Sequence, residues 1–258
     1  MGNRDMTGDM AQAQLPVVYA EQDGVLYNEM HGYVEDMDGA SMRDSVIGVS
    51  EDHKVGLALE KYNAQIKSVS YEVRSLDMSR LIEGGDDLQA EDDGKYLHVS
   101  LTLKDLLTQG EEYLLVLKVQ TEDQDLVRFY SILTYLGTNH VQDCVDFAQR
   151  FHEMTLTGDS DGVLNYLEQD GSMDGKNLGY INIHSRSGPV TWGDMQVVET
   201  GETSLRFTDL ESDITALTME YQATNTETSE QYQVREAYRL RYTSTRIYLL
   251  AYERWSDK

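Results

Sequence analysis

Gly137-Thr138-Asn139-His140-Val141-Gln142-Asp143-Cys144-Val145-Asp146-Phe147-Ala148-Gln149-Arg150-Phe151 is the stretch in which the hydrophobic spacing of this chain changes. Val141, Cys144, Val145, Ala148 and Phe151 recur at the spacing of one α-helical face. Asn139 stands before them as an N-cap residue. Upstream the pattern has period 2. Downstream, helical spacing gives way after Gly179 to alternation again. The change predicts a seam at residues 137–138 between two separately packed bodies.

Working back from the seam, residues 15–137 read as strands. Val69, Tyr71 and Val73 alternate with polar neighbours, as do Leu97, Val99, Leu101 and Leu103. Leu114 to Val119 and Val127 to Leu133 are apolar on both faces, as in strands central to a sheet or covered by a further layer. Val17-Val18-Tyr19 and Val25-Leu26-Tyr27 bracket Asp23-Gly24, a hairpin signal. About seven short strands and no helix predict a two-sheet sandwich of the immunoglobulin or fibronectin type III kind. The acidic stretch Gly84 to Gly94 reads as a solvated turn rather than a calcium site, because nothing in its spacing makes the carboxylates converge.

Forward of the seam, residues 138–258 read as α+β, with helices laid on a curved antiparallel sheet. A second short helix is predicted after Ser160 or Asp161, burying Val163, Leu164, Tyr166 and Leu167. Long strands are predicted around Ile181 and Ile183, then over 214–223, 232–242 and 247–251, the last two joined across Thr243-Ser244-Thr245. Cys144 falls on the packed helix face, where a small hydrophobe is needed. The helical pair followed by this sheet resembles the cone-shaped, ketosteroid-isomerase-like fold of the nuclear transport factor superfamily.

Composition narrows the function classes. The 258 residues carry 46 Asp and Glu against 21 Lys and Arg, a formal charge of −25 that repels nucleic-acid phosphates and anionic lipid. One cysteine permits neither an internal disulfide nor a CxxC zinc site. No apolar run approaches the ~20 residues of a membrane span. The polar residues 1–14 read as the stub of a removed N-terminal anchor.

His31-Gly32-Tyr33, Met42-Arg43-Asp44, Tyr71-Glu72-Val73-Arg74-Ser75-Leu76-Asp77, Val190-Thr191-Trp192-Gly193-Asp194 and Ile247-Tyr248-Leu249-Leu250-Ala251-Tyr252-Glu253-Arg254 are similar to stretches of uncharacterised proteins from anaerobic Gram-positive bacteria. In those proteins a membrane helix precedes this region. The resemblance implies an extracytoplasmic position on the cell-surface side of a bacterial membrane, with contact to the membrane only through an anchor. It implies no chemistry.

Candidate chemistry is sparse. Thr157 to Glu168 fits much of an EF-hand loop, with Asp159, Asp161 and Glu168 at ligand positions, but Thr157 replaces the first aspartate. The simpler reading makes Asp159 a helix cap. The six histidines show no metal-ligand spacing. His184 follows Tyr180 and Asn182 at strand spacing and would line the cone near Asp194 or Trp192 as part of a general base. His184-Ser185-Arg186-Ser187-Gly188 lacks the first glycine of a nucleophile elbow, and there is no Walker loop or dinucleotide fingerprint. No catalytic residue, metal or cofactor is therefore expected.

Charge distribution says more. Residues 231–258 hold six basic and three acidic side chains, reversing the balance of the rest of the chain. Arg235, Arg239 and Arg241 share strand parity and should make one sheet face cationic. Either that face recognises an anion or an acidic partner, or the arginines pair internally with acids such as Glu220. The expected function is a non-catalytic interaction or scaffold module, its partner a protein or cell-envelope component. The alternative is a small-molecule-binding or enzymatic domain with a pocket in the curved sheet near Tyr180, His184, Trp192 or Tyr232.

Overall fold

The computed structural model describes residues 15–42, 45–86, 88–104, 107–123 and 125–258. The predicted stub 1–14, Arg43-Asp44 and Asp87 of the acidic stretch lie outside the described residues. The fold is mostly β, built as three five-stranded sheets.

The first sheet has the order β2-β1-β4-β8-β7, formed by β1 (Val17–Gln22), β2 (Val25–His31), β4 (Lys54–Glu60), β7 (Gln89–Asp92) and β8 (Tyr96–Thr102). The second has the order β3-β10-β9-β5-β6, formed by β3 (Val46–Ser50), β5 (Ile66–Ser75), β6 (Leu81–Gly85), β9 (Glu112–Thr121) and β10 (Leu126–Gly137). Among the described residues, ten strands thus stand where seven were expected. The extra ones are short or exposed: β7 lies within the acidic stretch read as a turn, and all four of its residues face solvent. Asp23 (φ 49°) and Gly24 (φ 79°) are both left-handed, the geometry of a two-residue hairpin that matches strand twist, so the β1–β2 turn forms where it was predicted.

β9 is apolar on both faces for a local reason. Leu115, Leu117 and Val119 enter the main core, while Leu114 and Val116 pack with Tyr130 beneath Tyr33, Met37, Met42 and Met78. A loop rather than a further sheet covers the second face.

The third sheet, order β11-β15-β14-β13-β12, comprises β11 (Tyr180–Asn182), β12 (Val197–Leu210), β13 (Ile214–Asn225), β14 (Gln231–Tyr242) and β15 (Ile247–Asp257). Among the described residues, the α-helices that accompany it are α1 (Val141–Thr157), α2 (Ser160–Leu164) and α3 (Ser187–Val190). The five apolar α1 positions read from the sequence are buried. The helix starts one residue later than expected, with His140 at the N-cap and the Asn139 side chain accepting from Val141 N at 3.4 Å. In α2, Val163 is buried but Leu164 is exposed, because the helix ends there.

The apolar interior does not stop at the seam. One cluster of buried side chains runs from Val18, Leu57 and Ile47 through Leu136 and Val141 to Phe207 and Tyr252. The expectation of two separately packed bodies fails at this point. Tyr27 of β2 meets Phe207 of β12 edge to face at 4.8 Å. A Cβ on Gly48 would stand 3.1 Å from Leu136, 3.4 Å from Leu210 and 3.8 Å from Val141, so both halves press on β3. Asn28, fully buried and left-handed (φ 53°), donates to Val46 O at 2.6 Å and accepts from Phe207 N at 2.7 Å. Its amide stands in for a strand edge between β3 and β12.

Candidate functional site

α1 lays its buried face on the third sheet, and His152, one turn before the helix end, reaches between strands. Its Nδ1 donates to Glu236 Oε2 on β14 at 2.7 Å, and its Nε2 donates to Glu199 Oε2 on β12 at 2.9 Å. Donation from both ring nitrogens requires the imidazolium. Glu236 is wholly buried, and its other oxygen accepts from the Tyr252 hydroxyl at 2.6 Å. Glu199 is at the solvent margin and also accepts from Thr203.

Burial by itself would push the His152 imidazole down, but hydrogen bonds and charge from Glu236 and then Glu199 more than reverse it, raising it to about 9. Burial pushes the Glu236 carboxyl up, and His152, Tyr252 and the nearby Arg254 together hold it below its ordinary range. Burial also raises the hydroxyls of Tyr221, Tyr238 and Tyr252, with the Glu236 charge adding to each. The pair is charged and packed among aromatic rings: Tyr221 lies 4.6 Å from the His152 ring and Phe151 lies 4.8 Å from Tyr252.

The sequence reading did not anticipate this buried titratable cluster. Histidine at helix spacing and glutamate on a strand gave no motif, because they lie 84 residues apart and only folding joins them. One trace was present: Glu236 is the acid that interrupts the apolar parity Val234, Tyr238, Leu240. Among the described residues, neither His152 nor Glu236 lines any of five surface clefts of 370 to 710 Å³.

The residues singled out from sequence separate into three places. Arg235, Arg239 and Arg241 do share the outer face of the third sheet, away from α1. Arg239 pairs at 3.4 Å with Asp209 of β12 rather than with Glu220. Arg235 faces Glu220 and Trp255 in register and lies over the Trp255 ring at 5.3 Å, with Tyr180 beside that ring at 5.8 Å. Arg241 is exposed opposite the exposed Tyr248. Among the described residues, no carboxylate approaches Arg235 or Arg241 within 4.0 Å.

His184 lies at the surface. Its Nδ1 is 2.8 Å from Glu168 O and 3.4 Å from Asp170, so it does not pair with Asp194 or reach Trp192. Trp192 is buried, 6.1 Å from Tyr232 and 3.9 Å from the Arg254 guanidinium carbon. The EF-hand-like loop is a cap: Asp159 accepts from Gly162 N at 2.9 Å and starts α2. Cys144 is buried, and burial raises its thiol. Among the described residues, no group of three potential ligands is arranged to hold a metal, and no helix is long and apolar enough to cross a membrane.

No protein-family model matches this chain, and none of the curated proteins compared with it does. Among solved structures, the crystal structure of CopC from Methylosinus trichosporium OB3b shares 17% identity over 43% of this chain and 98% of that one, with a TM-score of 0.27. A likeness at that score carries no argument about this protein.

Proposed function

We propose that the chain is a non-catalytic interaction or scaffold module acting extracytoplasmically, on the cell-surface side of a bacterial membrane, within a larger membrane-anchored protein. In this reading residues 15–137 are an immunoglobulin-like sandwich and residues 138–258 a cone-like α+β domain, joined by their common core. The observation that carries it is the outer face of the third sheet. Among the described residues, Arg235 and Arg241 make no ion pair within 4.0 Å and stand beside Trp255, Tyr180 and Tyr248, in a chain with 46 acidic side chains. Guanidinium next to aromatic rings is the composition of protein interface centres. The position outside the cytoplasm rests on the sequence resemblance.

The inner chemistry supports the same reading. His152 and Glu236 neutralise each other and use both ring nitrogens and both carboxylate oxygens on one another, Glu199 and Tyr252. A base locked in this way is occupied in holding α1 to the sheet. The test is capture from the native membrane with the full-length protein, comparing the wild type with Arg235→Glu/Arg241→Glu. Loss of a specific partner at unchanged melting temperature is expected. An identical partner set for both proteins would refute the assignment of this face.

A further inference from the structure

Among the described residues, one of the five clefts differs from the others in charge. It opens where the start of β9 and the end of β10 meet the turn between β12 and β13, and it holds 580 Å³, within the range of about 300–1,000 Å³ usual for small-molecule sites. Its lining includes Glu111, Glu112, Asp209 and Glu211 but no lysine or arginine. Each of the other four clefts has an arginine in its wall. The acids stand on two walls, one from each half of the chain. Glu111 precedes β9 and Glu211 follows β12; both are exposed, and among the described residues neither makes an ion pair within 4.0 Å. Asp209 shares the second wall and leans on Arg239 at 3.4 Å. Backbone bonds hold both walls: Gly110 N donates to Tyr135 O and Glu211 N donates to Ile214 O, each at 2.8 Å.

In so acidic a chain the floor of the cleft, rather than its rim, sets it apart. Leu136 and Leu210 line it and are buried. Thr134 lines it too, on a residue 5% exposed, and its hydroxyl has no hydrogen-bond partner. Thr134 and Glu112 are paired in register across β10 and β9, so both project from the same face of the sheet, the one that borders the cleft. A hydroxyl that has lost water and gained no partner is costly, and a ligand that donates to it relieves that cost. A metal ion does not fit the arrangement, because among the described residues no three ligating side chains converge on one point. Carboxylates spread over two facing walls with an apolar strip between them suit positive charges spaced along one flexible molecule.

We propose that this cleft binds an aliphatic diammonium ion across the join of the two halves. One ammonium group sits at Glu111 and donates to Thr134 Oγ1; the other sits at Glu211 and Asp209. The methylene chain between them covers Leu136 and Leu210, which removes apolar surface from water at both ends of the join. Because each wall belongs to a different half, the bound ion ties the halves together and adds to their common stability. Arg235, Arg241 and the aromatic rings of the proposed partner face take no part in this cleft, so the two assignments stand or fall separately.

The probe is 1,5-diaminopentane, titrated calorimetrically into the full chain at pH 7 and constant ionic strength, with pentylamine and calcium chloride as comparisons. Saturable binding is expected with a midpoint on the order of millimolar and a rise in melting temperature. Pentylamine, with one charge, should bind about fivefold more weakly, and calcium should give no saturable heat. Glu111→Gln and Glu211→Gln alter exposed side chains on opposite walls, and each should weaken the diamine about fivefold. Thr134→Val keeps the side-chain shape; without ligand its melting temperature should equal or exceed that of the wild type, and its affinity for the diamine should fall. The site is refuted if the diamine gives no saturable response up to about 100 mM, or if pentylamine or calcium matches it. It is refuted equally if either glutamine variant binds the diamine as the wild type does. A fall in melting temperature for Thr134→Val would show that its hydroxyl already has a use in the fold, and would also overturn the proposal.

Discussion

At the scale of single residues, His152 and Asn28 carry the largest consequences. The folded His152 titrates at about 9, above its ordinary value of 6.5, so its contribution to stability is complete below 6.5 and disappears as pH rises through about 9. Glu236 is lowered from 4.5, so its contribution is present above 4.5 and is lost as pH falls through the depressed folded value. The pair therefore contributes most between those ordinary values of 4.5 and 6.5. Denaturation of His152→Ala near pH 6 should show a loss of about 3–5 kcal/mol, since Glu236 is left buried and unpaired. The gap between variant and wild type should close as pH rises towards 10. A gap independent of pH would remove the imidazolium from the account. Asn28→Ala leaves Val46 O and Phe207 N without their buried partner and should cost about 2–4 kcal/mol in the same measurement. Neither role was legible in the sequence. Asn28 sits inside an apolar alternation as an ordinary polar residue, and His152 is one of six histidines; what matters in each case is a partner supplied by distant chain.

At the scale of elements, legibility followed burial. α1 was readable because its apolar stripe is narrow and faces a core, and the β13, β14 and β15 strands were readable because one face of each is buried. β12, the longest strand at 14 residues, was not read at all. Most of Val198 to Ser204 is exposed, so alternation is absent, and the strand exists because β13 pairs with it and Asn28 holds Phe207. The turn between α1 and α2 was legible as a cap. Gly158 ends α1 at φ 74°, and Asp159 starts α2. Gly158→Ala should lose about 1 kcal/mol through strain, and Asp159→Ala about 1 kcal/mol through the lost cap. Calcium should leave the melting temperature of the wild type unchanged; a rise that Asp159→Ala removes would restore the metal reading. On the outer face, Arg239→Glu should destabilise by less than about 1 kcal/mol, because its pair with Asp209 is exposed.

At the scale of the whole molecule, the shared core couples the halves. Unfolding followed by tryptophan emission, which reports only residues 192 and 255, should coincide with far-ultraviolet circular dichroism, which reports all three sheets. Two separated transitions would mean that the contacts of Tyr27, Asn28 and Gly48 with the second half contribute little. The sequence alone determined the mostly β class, the change of architecture near residue 139 and the parity that puts three arginines on one face. These are local, carried by periodicity along a few adjacent residues. Tertiary structure alone decided that one interior crosses the change, that His152 meets two glutamates, and that Arg254 leaves the basic C-terminal stretch for the core. Those contacts join residues dozens to more than a hundred positions apart, and no spacing along a chain encodes which of many compatible side chains will be brought together when sheets close on a common interior.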